Sequence, residues 1–167
     1  VAVPVGGVTI PAGSTSVQVR VATSDDFAAE GDESFTLTAN VTAGTTANAS
    51  ATGTATISDD TDATTVSLSA TPSVAEGGSI IYTATLTQAA VTPLTLTLSN
   101  GAVITIAAGA TNGTVSALAP ADDVYVDAGN VSATIATASG GGFESLGSDT
   151  TAAATSITDT IDVTTAT

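Results

Sequence analysis

The sequence predicts an all-β protein, organised as antiparallel β-sandwiches in tandem with the first of them incomplete. Three observations lead there. Short runs alternate apolar residues with Thr, Ser and other polar residues, and clusters of Gly, Pro, Asn and Asp separate them, which is the period-two pattern of half-buried strands bounded by turns. Aromatic residues make up 3% of the chain and charged residues 10%, so its core is small aliphatic side chains that suit a pleated surface, and it lacks the charge of a disordered segment. A set of short motifs also recurs after about 100 residues, the length of one sandwich.

Residues 8–10 read as a strand, Pro11-Ala12-Gly13 as a turn, and residues 16–22 as a second strand with Val17, Val19 and Val21 on one face. An acidic stretch follows, and residues 34–41 then alternate again with Phe35, Leu37 and Ala39 on one face. A Gly, Thr and Asn-rich turn at residues 42–48 leads to a strand over 49–57, closed by Ser58-Asp59-Asp60-Thr61-Asp62. Residues 63–65 form a short polar join to a new series with strands at 66–70 and 80–87, Pro72 and Val74-Ala75-Glu76-Gly77-Gly78 lying between them. Strands at 94–98 and 102–106 flank Asn100-Gly101, a two-residue hairpin signal because both residue types tolerate positive φ. Strands at 114–118 and 131–137 enclose a second acidic loop. The Gly-rich bend 139–142 precedes a last strand over 151–158, and the series ends Asp159-Thr160-Ile161-Asp162.

Laying the two parts together exposes the repeat. Val8-Thr9-Ile10-Pro11-Ala12-Gly13 matches Ile104-Thr105-Ile106-Ala107-Ala108-Gly109, Asp25-Asp26 matches Asp122-Asp123, and Ile57-Ser58-Asp59 matches Ile157-Thr158-Asp159. Residues 1–62 therefore correspond to the C-terminal half of a unit, whereas residues 63–167 contain a whole one. The first part either follows strands that lie outside this sequence or finds its missing strands elsewhere, for example by swapping with another molecule. The strand count per repeat points to a sandwich of immunoglobulin-like type.

The densest feature is the stretch from Asp25 to Glu33, where Asp25, Asp26, Glu30, Asp32 and Glu33 place five carboxylates within nine residues, while Arg20 is the only basic residue of the chain. Two carboxylates about 4 Å apart repel by roughly 4 kcal/mol at an effective dielectric of about 20. Calcium is the natural counter-charge, because it accepts carboxylate, carbonyl and water oxygens in irregular geometry. Asp122, Asp123 and Asp127 form a weaker copy, and Asp59, Asp60 and Asp62 stand at the junction of the units, where a cation would bridge them.

Composition also excludes. With a net charge of -15 and one Arg against sixteen acids, nucleic acid and anionic membranes are disfavoured partners, since phosphate neutralisation needs Lys and Arg. No run of about 18 apolar residues is present, so no helical membrane span is expected. No signal peptide is visible, which fits an internal fragment or export by a route that reads no N-terminal signal. Cysteine and His are absent, leaving metal rather than disulfides as a staple and no thiol or imidazole for catalysis. Paired acids can cleave glycosides, but two Tyr and three Phe supply few aromatic platforms for a sugar. Gly140-Gly141-Gly142 precedes no helix and is no phosphate cradle. Glu144 and Asp149 read as isolated, exposed acids, and no apolar patch that could dock a ligand stands out.

Residues 63–162, through Val74-Ala75-Glu76-Gly77-Gly78, Ile104-Thr105-Ile106-Ala107-Ala108-Gly109, Ala119-Pro120-Ala121-Asp122-Asp123-Val124-Tyr125-Val126-Asp127 and Ile157-Thr158-Asp159-Thr160, resemble the extender repeats of giant RTX biofilm adhesins of Gram-negative bacteria, of the large adhesion protein type. Residues 8–60 are more similar to the back of a Calx-β domain, through the acidic loop and Asp59-Asp60. The resemblance implies that Asp25, Asp26, Glu30 and Glu33, with a carbonyl near Ala28, meet Asp59 and Asp60 at one end of the first sandwich, and that Glu76, Asp122, Asp123, Asp127 and Asp159 converge in the second. It implies a non-catalytic, calcium-rigidified spacer on the bacterial cell surface, exported by type I secretion, whose partners are neighbouring repeats of the same chain and which has no small-molecule substrate. A domain recognising a surface glycan or protein is the alternative.

Overall fold

A computed structural model describes residues 7–126 and 128–163. Among these residues the structure is all-β, and it contains no helix long and apolar enough to cross a membrane. The backbone forms two units: one runs up to Asp26 and resumes at Gly31–Asp60, and the other comprises Phe27–Glu30 and the chain from Thr61 onward.

The first unit is built on a hairpin of β1 (Glu33–Asn40) and β2 (Ser50–Ile57). They pair antiparallel from Glu33↔Ile57 to Asn40↔Ser50. Alternation decides the faces: Phe35 and Leu37 are half-buried, while Thr36 and Thr38 point to solvent, where the Thr36 and Thr54 hydroxyls lie 3.3 Å apart across the pair. The expected turn at Pro11-Ala12-Gly13 forms, with the Ser14 amide donating to the Pro11 carbonyl at 3.0 Å and Gly13 at φ 86. The expected strands at 8–10 and 16–22 do not form a ladder among the described residues. A strand needs a neighbour for its N–H and C=O groups, and the hairpin's ladder lies wholly between β1 and β2.

The second unit carries β3 (Ala63–Ala70), β4 (Ser73–Ala75), β5 (Ser79–Leu86), β6 (Leu94–Leu98), β7 (Val103–Ile106), β8 (Asn112–Leu118), β9 (Gly129–Ala133), β10 (Ile135–Gly140), β11 (Ser145–Ser148) and β12 (Ala153–Thr158). One sheet has the order β11-β3-β5-β8, a second β4-β12-β9 and a third β10-β6-β7. The last two are stitched where β9 runs into β10: the Thr134 amide donates to Ser99 Oγ at 3.1 Å and its carbonyl accepts the Ser99 amide at 2.9 Å. The sheets close on one core in a β-sandwich-like arrangement.

That core follows from the alternation. Ile80, Tyr82, Ala84 and Leu86 of β5, Leu94, Leu96 and Leu98 of β6, and Ile104 and Ile106 of β7 all point inward with Val66, Ala133, Ala153 and Ile157. Each buried Leu, Ile or Val contributes about 1.5–3 kcal/mol relative to exposure, so these side chains outweigh the weak aromatic content. β3 starts at Ala63 rather than at 66, because Thr64 is fully buried and pairs in parallel with Leu146 of β11. The polar join expected at 63–65 is thus already sheet.

The Asn100-Gly101 turn differs in detail from its sequence signature. Only Gly101 has positive φ, at 83. The Gly101 amide donates to the Leu98 carbonyl at 2.9 Å, the Leu98 amide to the Ala102 carbonyl at 2.8 Å, and Asn100 Oδ1 accepts the Ala102 amide at 3.1 Å. This is a three-residue loop with its left-handed residue last. The Asn side chain serves the backbone instead of adopting the left-handed region itself.

Candidate metal centre

At one end of the second unit three segments are tied together by their backbones. The turn between β4 and β5 supplies Glu76-Gly77-Gly78, the chain leaving β8 supplies Pro120 to Asp123, and the chain leaving β12 supplies Asp159-Thr160. The Glu76 amide donates to the Thr158 carbonyl at 3.1 Å, the Gly77 amide to the Pro120 carbonyl at 2.7 Å, and the Ala119 amide to the Gly78 carbonyl at 2.9 Å. Glycine is required here. Gly77 sits at φ 68, and a Cβ on Gly78 would lie 2.5 Å from Val74 Cγ2 and 2.8 Å from the Ala75 carbonyl oxygen.

Glu76 is buried, 9% exposed, and Asp159 is half-buried, its enclosed Oδ1 lacking a hydrogen-bond partner among the described residues. Asp122 is exposed and its Oδ1 accepts the Thr160 hydroxyl, which ties the loop after β8 to the end of β12. Asp123 is engaged locally: its Oδ1 accepts the Tyr125 amide at 2.8 Å, an Asx turn. Asp127 lies outside the described residues. The fold therefore brings the backbones at Glu76, Asp122 and Asp159 to one end, yet among the described residues no group of three or more acids is gathered closely enough to hold an ion. The enclosed oxygen of Asp159 is the feature that fits a cation. An enclosed carboxylate oxygen without a partner is costly, and a divalent ion there would offset that cost.

In the first unit Asp25, Asp26, Glu33, Asp59 and Asp60 are all exposed. Glu33 opens β1 opposite Ile57, the last residue of β2, so Glu33 and the Ser58-Asp59-Asp60 run leave the same end of the hairpin. Ala28 and Glu30 belong to the second unit, where Ala28 makes an antiparallel bridge with Phe143 and the Ala29 amide donates to the Gly142 carbonyl at 3.1 Å. Asp62, also of that unit, is half-buried.

Two sequence expectations are corrected. Glu144 is half-buried rather than isolated in solvent, and its Oε2 accepts the Asp62 amide. No spacing signal could have joined two residues so far apart, although the Gly140-Gly141-Gly142 run just before it, with φ of 93, 93 and 69, marks the reversal that turns it inward. An exposed apolar run also exists after β8, where Val124, Tyr125 and Val126 face solvent. Asp149 is exposed as expected. Its carboxyl is held below the ordinary value of 3.8, first by a hydrogen bond from the Thr151 backbone amide and then by one from the Thr151 side chain.

The halves carry the same local geometry at corresponding places. The Ala110 amide donates to the Ala107 carbonyl at 3.0 Å with Gly109 at φ 78, as Ser14 does to Pro11. Gly129 pairs with Ile157 where Glu33 pairs with Ile57.

Comparison with curated proteins and with solved structures finds no match. Comparison with protein families matches the LapA domain over residues 62–160, which spans the second unit from Asp62 through Asp159 and Thr160 and covers more than half of the chain. The chain belongs to the LapA domain family, in the setting of large adhesion proteins at the cell surface and in biofilms.

Proposed function

We propose that this chain is a non-catalytic, calcium-dependent extender segment of an RTX-type adhesin, which spaces an adhesive tip from the bacterial surface. The observation that carries this reading is the end of the second unit, where Oδ1 of Asp159 is enclosed without a hydrogen-bond partner among the described residues, beside the segments bearing Glu76 and Asp122. A net charge of -15 makes the compact state self-repelling until cations bind. Extracellular modules bind calcium with dissociation constants of about 10⁻⁴–10⁻³ M, so the sites fill at the millimolar calcium outside a cell and stay empty inside one. Binding to the folded state then adds stability in proportion to the logarithm of calcium concentration. Glu76, Asp122, Asp123, Asp127 and Asp159 are the ligands proposed for the second unit. Asp25, Asp26, Glu30, Glu33, Asp59, Asp60 and Asp62, with Ala28 through its carbonyl, are those proposed from the acidic stretches at residues 25–33 and 59–62.

Each repeat added in series lengthens the segment, since a strand of seven residues is roughly 23 Å long. The partners of this segment are accordingly the neighbouring repeats of its own polypeptide. The test is thermal unfolding of the whole chain in EDTA and in about 1–5 mM calcium, with magnesium as a control for ionic strength. A rise of several degrees specific to calcium supports the reading; superimposable curves sink it.

The exposed Val124-Tyr125-Val126 run, with Tyr125 72% and Val126 89% exposed, favours a second reading, a domain that recognises a surface glycan or protein. Loss of adhesion on Tyr125→Ser with an unchanged calcium response would select it.

A further inference from the structure

The hairpin of the first unit has an uncovered apolar face. Val19 and Val21 with Phe35, Leu37, Ala51 and Gly53 line a groove of about 520 Å³. The second unit shows what covers such a face. Its β9–β12 pair has the register of β1–β2, with Gly129↔Ile157 standing for Glu33↔Ile57. Its inward residues Ala133, Ala153 and Thr155 are 1%, 6% and 0% exposed. They are enclosed by a core to which β3 contributes Val66 and β5 contributes Ile80, Tyr82 and Ala84.

The groove's other wall has a counterpart too. Residues 16–22 lie between the Pro11–Ser14 turn bond and Asp25-Asp26, as β8 lies between the Ala107–Ala110 turn bond and Asp122-Asp123. In the second unit β8 is an edge strand whose ladder runs to β5, from Ser79↔Leu118 to Thr85↔Asn112, and β5 in turn pairs with β3. Residues 16–22 have the alternation of a strand but no ladder among the described residues. One missing element accounts for both the open face and the unformed strand.

We infer that the groove of the first unit is an acceptor for an antiparallel strand pair of the β3–β5 kind, alternating small aliphatic and hydroxyl residues and contributed by polypeptide outside this sequence. The incoming strand equivalent to β5 hydrogen-bonds residues 16–22 and lays its apolar side on Phe35 and Leu37. The groove then closes and residues 16–22 become the edge strand of a sheet, as β8 is in the second unit. Strand addition of this kind takes its affinity from main-chain bonds and its specificity from alternate side chains.

The experiment extends the whole chain at Val1 with a copy of residues 61–96, so that Val8 follows the insert at the distance at which Ile104 follows Leu96. Hydrogen exchange is then compared with that of the unextended chain. Amides of Val17, Val19 and Val21 are expected to slow by at least about 100-fold on gaining a ladder. Leu37→Asp in the extended chain should return them to fast exchange while leaving the amides of β5 and β6 protected. The same segment added as a free peptide should slow the same amides in the unextended chain. Unchanged exchange in both formats overturns the inference, as does protection that survives Leu37→Asp. Sedimentation of the unextended chain closes the remaining route: a dimer that already protects residues 16–22 would make a second copy the occupant and the strand-pair assignment wrong.

Discussion

The amide of Gly77 donates to the carbonyl of Pro120 over 2.7 Å, and this one bond ties the turn after β4 to the chain leaving β8. Glu76 is the residue before that donor and Asp122 lies two residues beyond that acceptor. Separate strands thereby deliver their acids to one end of the sandwich.

Asp159 is the sharpest probe of that end. Among the described residues its enclosed Oδ1 has no hydrogen-bond partner, so Asp159→Asn removes the charge that would meet a cation while keeping the size of the side chain. In EDTA the variant should melt no lower than the parent. In millimolar calcium it should lose at least about 5 °C of the parent's calcium increment, the equivalent of about 1 kcal/mol in a domain of this size. A full calcium increment in the variant would remove Asp159 from the site.

Glu144 anchors the start of the second unit through the Asp62 amide. A hydrogen bond to a charged acceptor contributes about 1.5–3 kcal/mol. Glu144→Ala should cost an amount in that range by urea unfolding, whereas Glu144→Gln keeps an acceptor and should cost under about half as much. Equal losses would show that the charge, not the bond, matters.

Tyr82 is fully buried, and among the described residues its hydroxyl finds no hydrogen-bond partner. An unsatisfied buried hydroxyl costs about 1–3 kcal/mol, so Tyr82→Phe should leave stability unchanged or raise it by about 1 kcal/mol. Tyr82→Ala should cost about 3–5 kcal/mol, because it opens a cavity between Ile80 and Ala84 on β5. Chemical denaturation of the three proteins compares them directly.

Asp149 contributes to the acid-range response. Because the Thr151 hydrogen bonds lower its folded value below 3.8, the stability it supplies is fully present above 3.8 and is lost as pH falls through the lower, folded value. An NMR titration should find its midpoint below 3.8. Thr151→Val, which keeps the larger contribution from the backbone amide, should move that midpoint only part of the way back.

Strand existence was legible wherever the period-two pattern found a partner. The alternations around Phe35, Ile80, Leu94 and Ile104 all became strands, because each has a neighbour to complete its ladder and a core to bury one face. The equally regular Val17-Gln18-Val19-Arg20-Val21 did not. Pattern supplies a strand's willingness to pair, and pairing needs a second strand. The short pieces β4 and β11 left no periodic trace and exist only because parallel ladders to β12 and β3 hold them.

The sequence by itself determined the all-β class, the repeat, the acidic ends of the strands and the family to which residues 62–160 belong. These properties are written in composition and in spacing along the chain. The tertiary structure decided which acids leave bulk solvent, since Glu76 becomes buried, and Asp159 and Glu144 become half-buried only where β12 and the Gly140-Gly141-Gly142 reversal carry them inward. It also decided that Asp62 meets Glu144 and that the first hairpin keeps an open apolar face. Burial and long-range contact depend on which strand lies beside which, and that is a property of the packed sheets rather than of any local stretch.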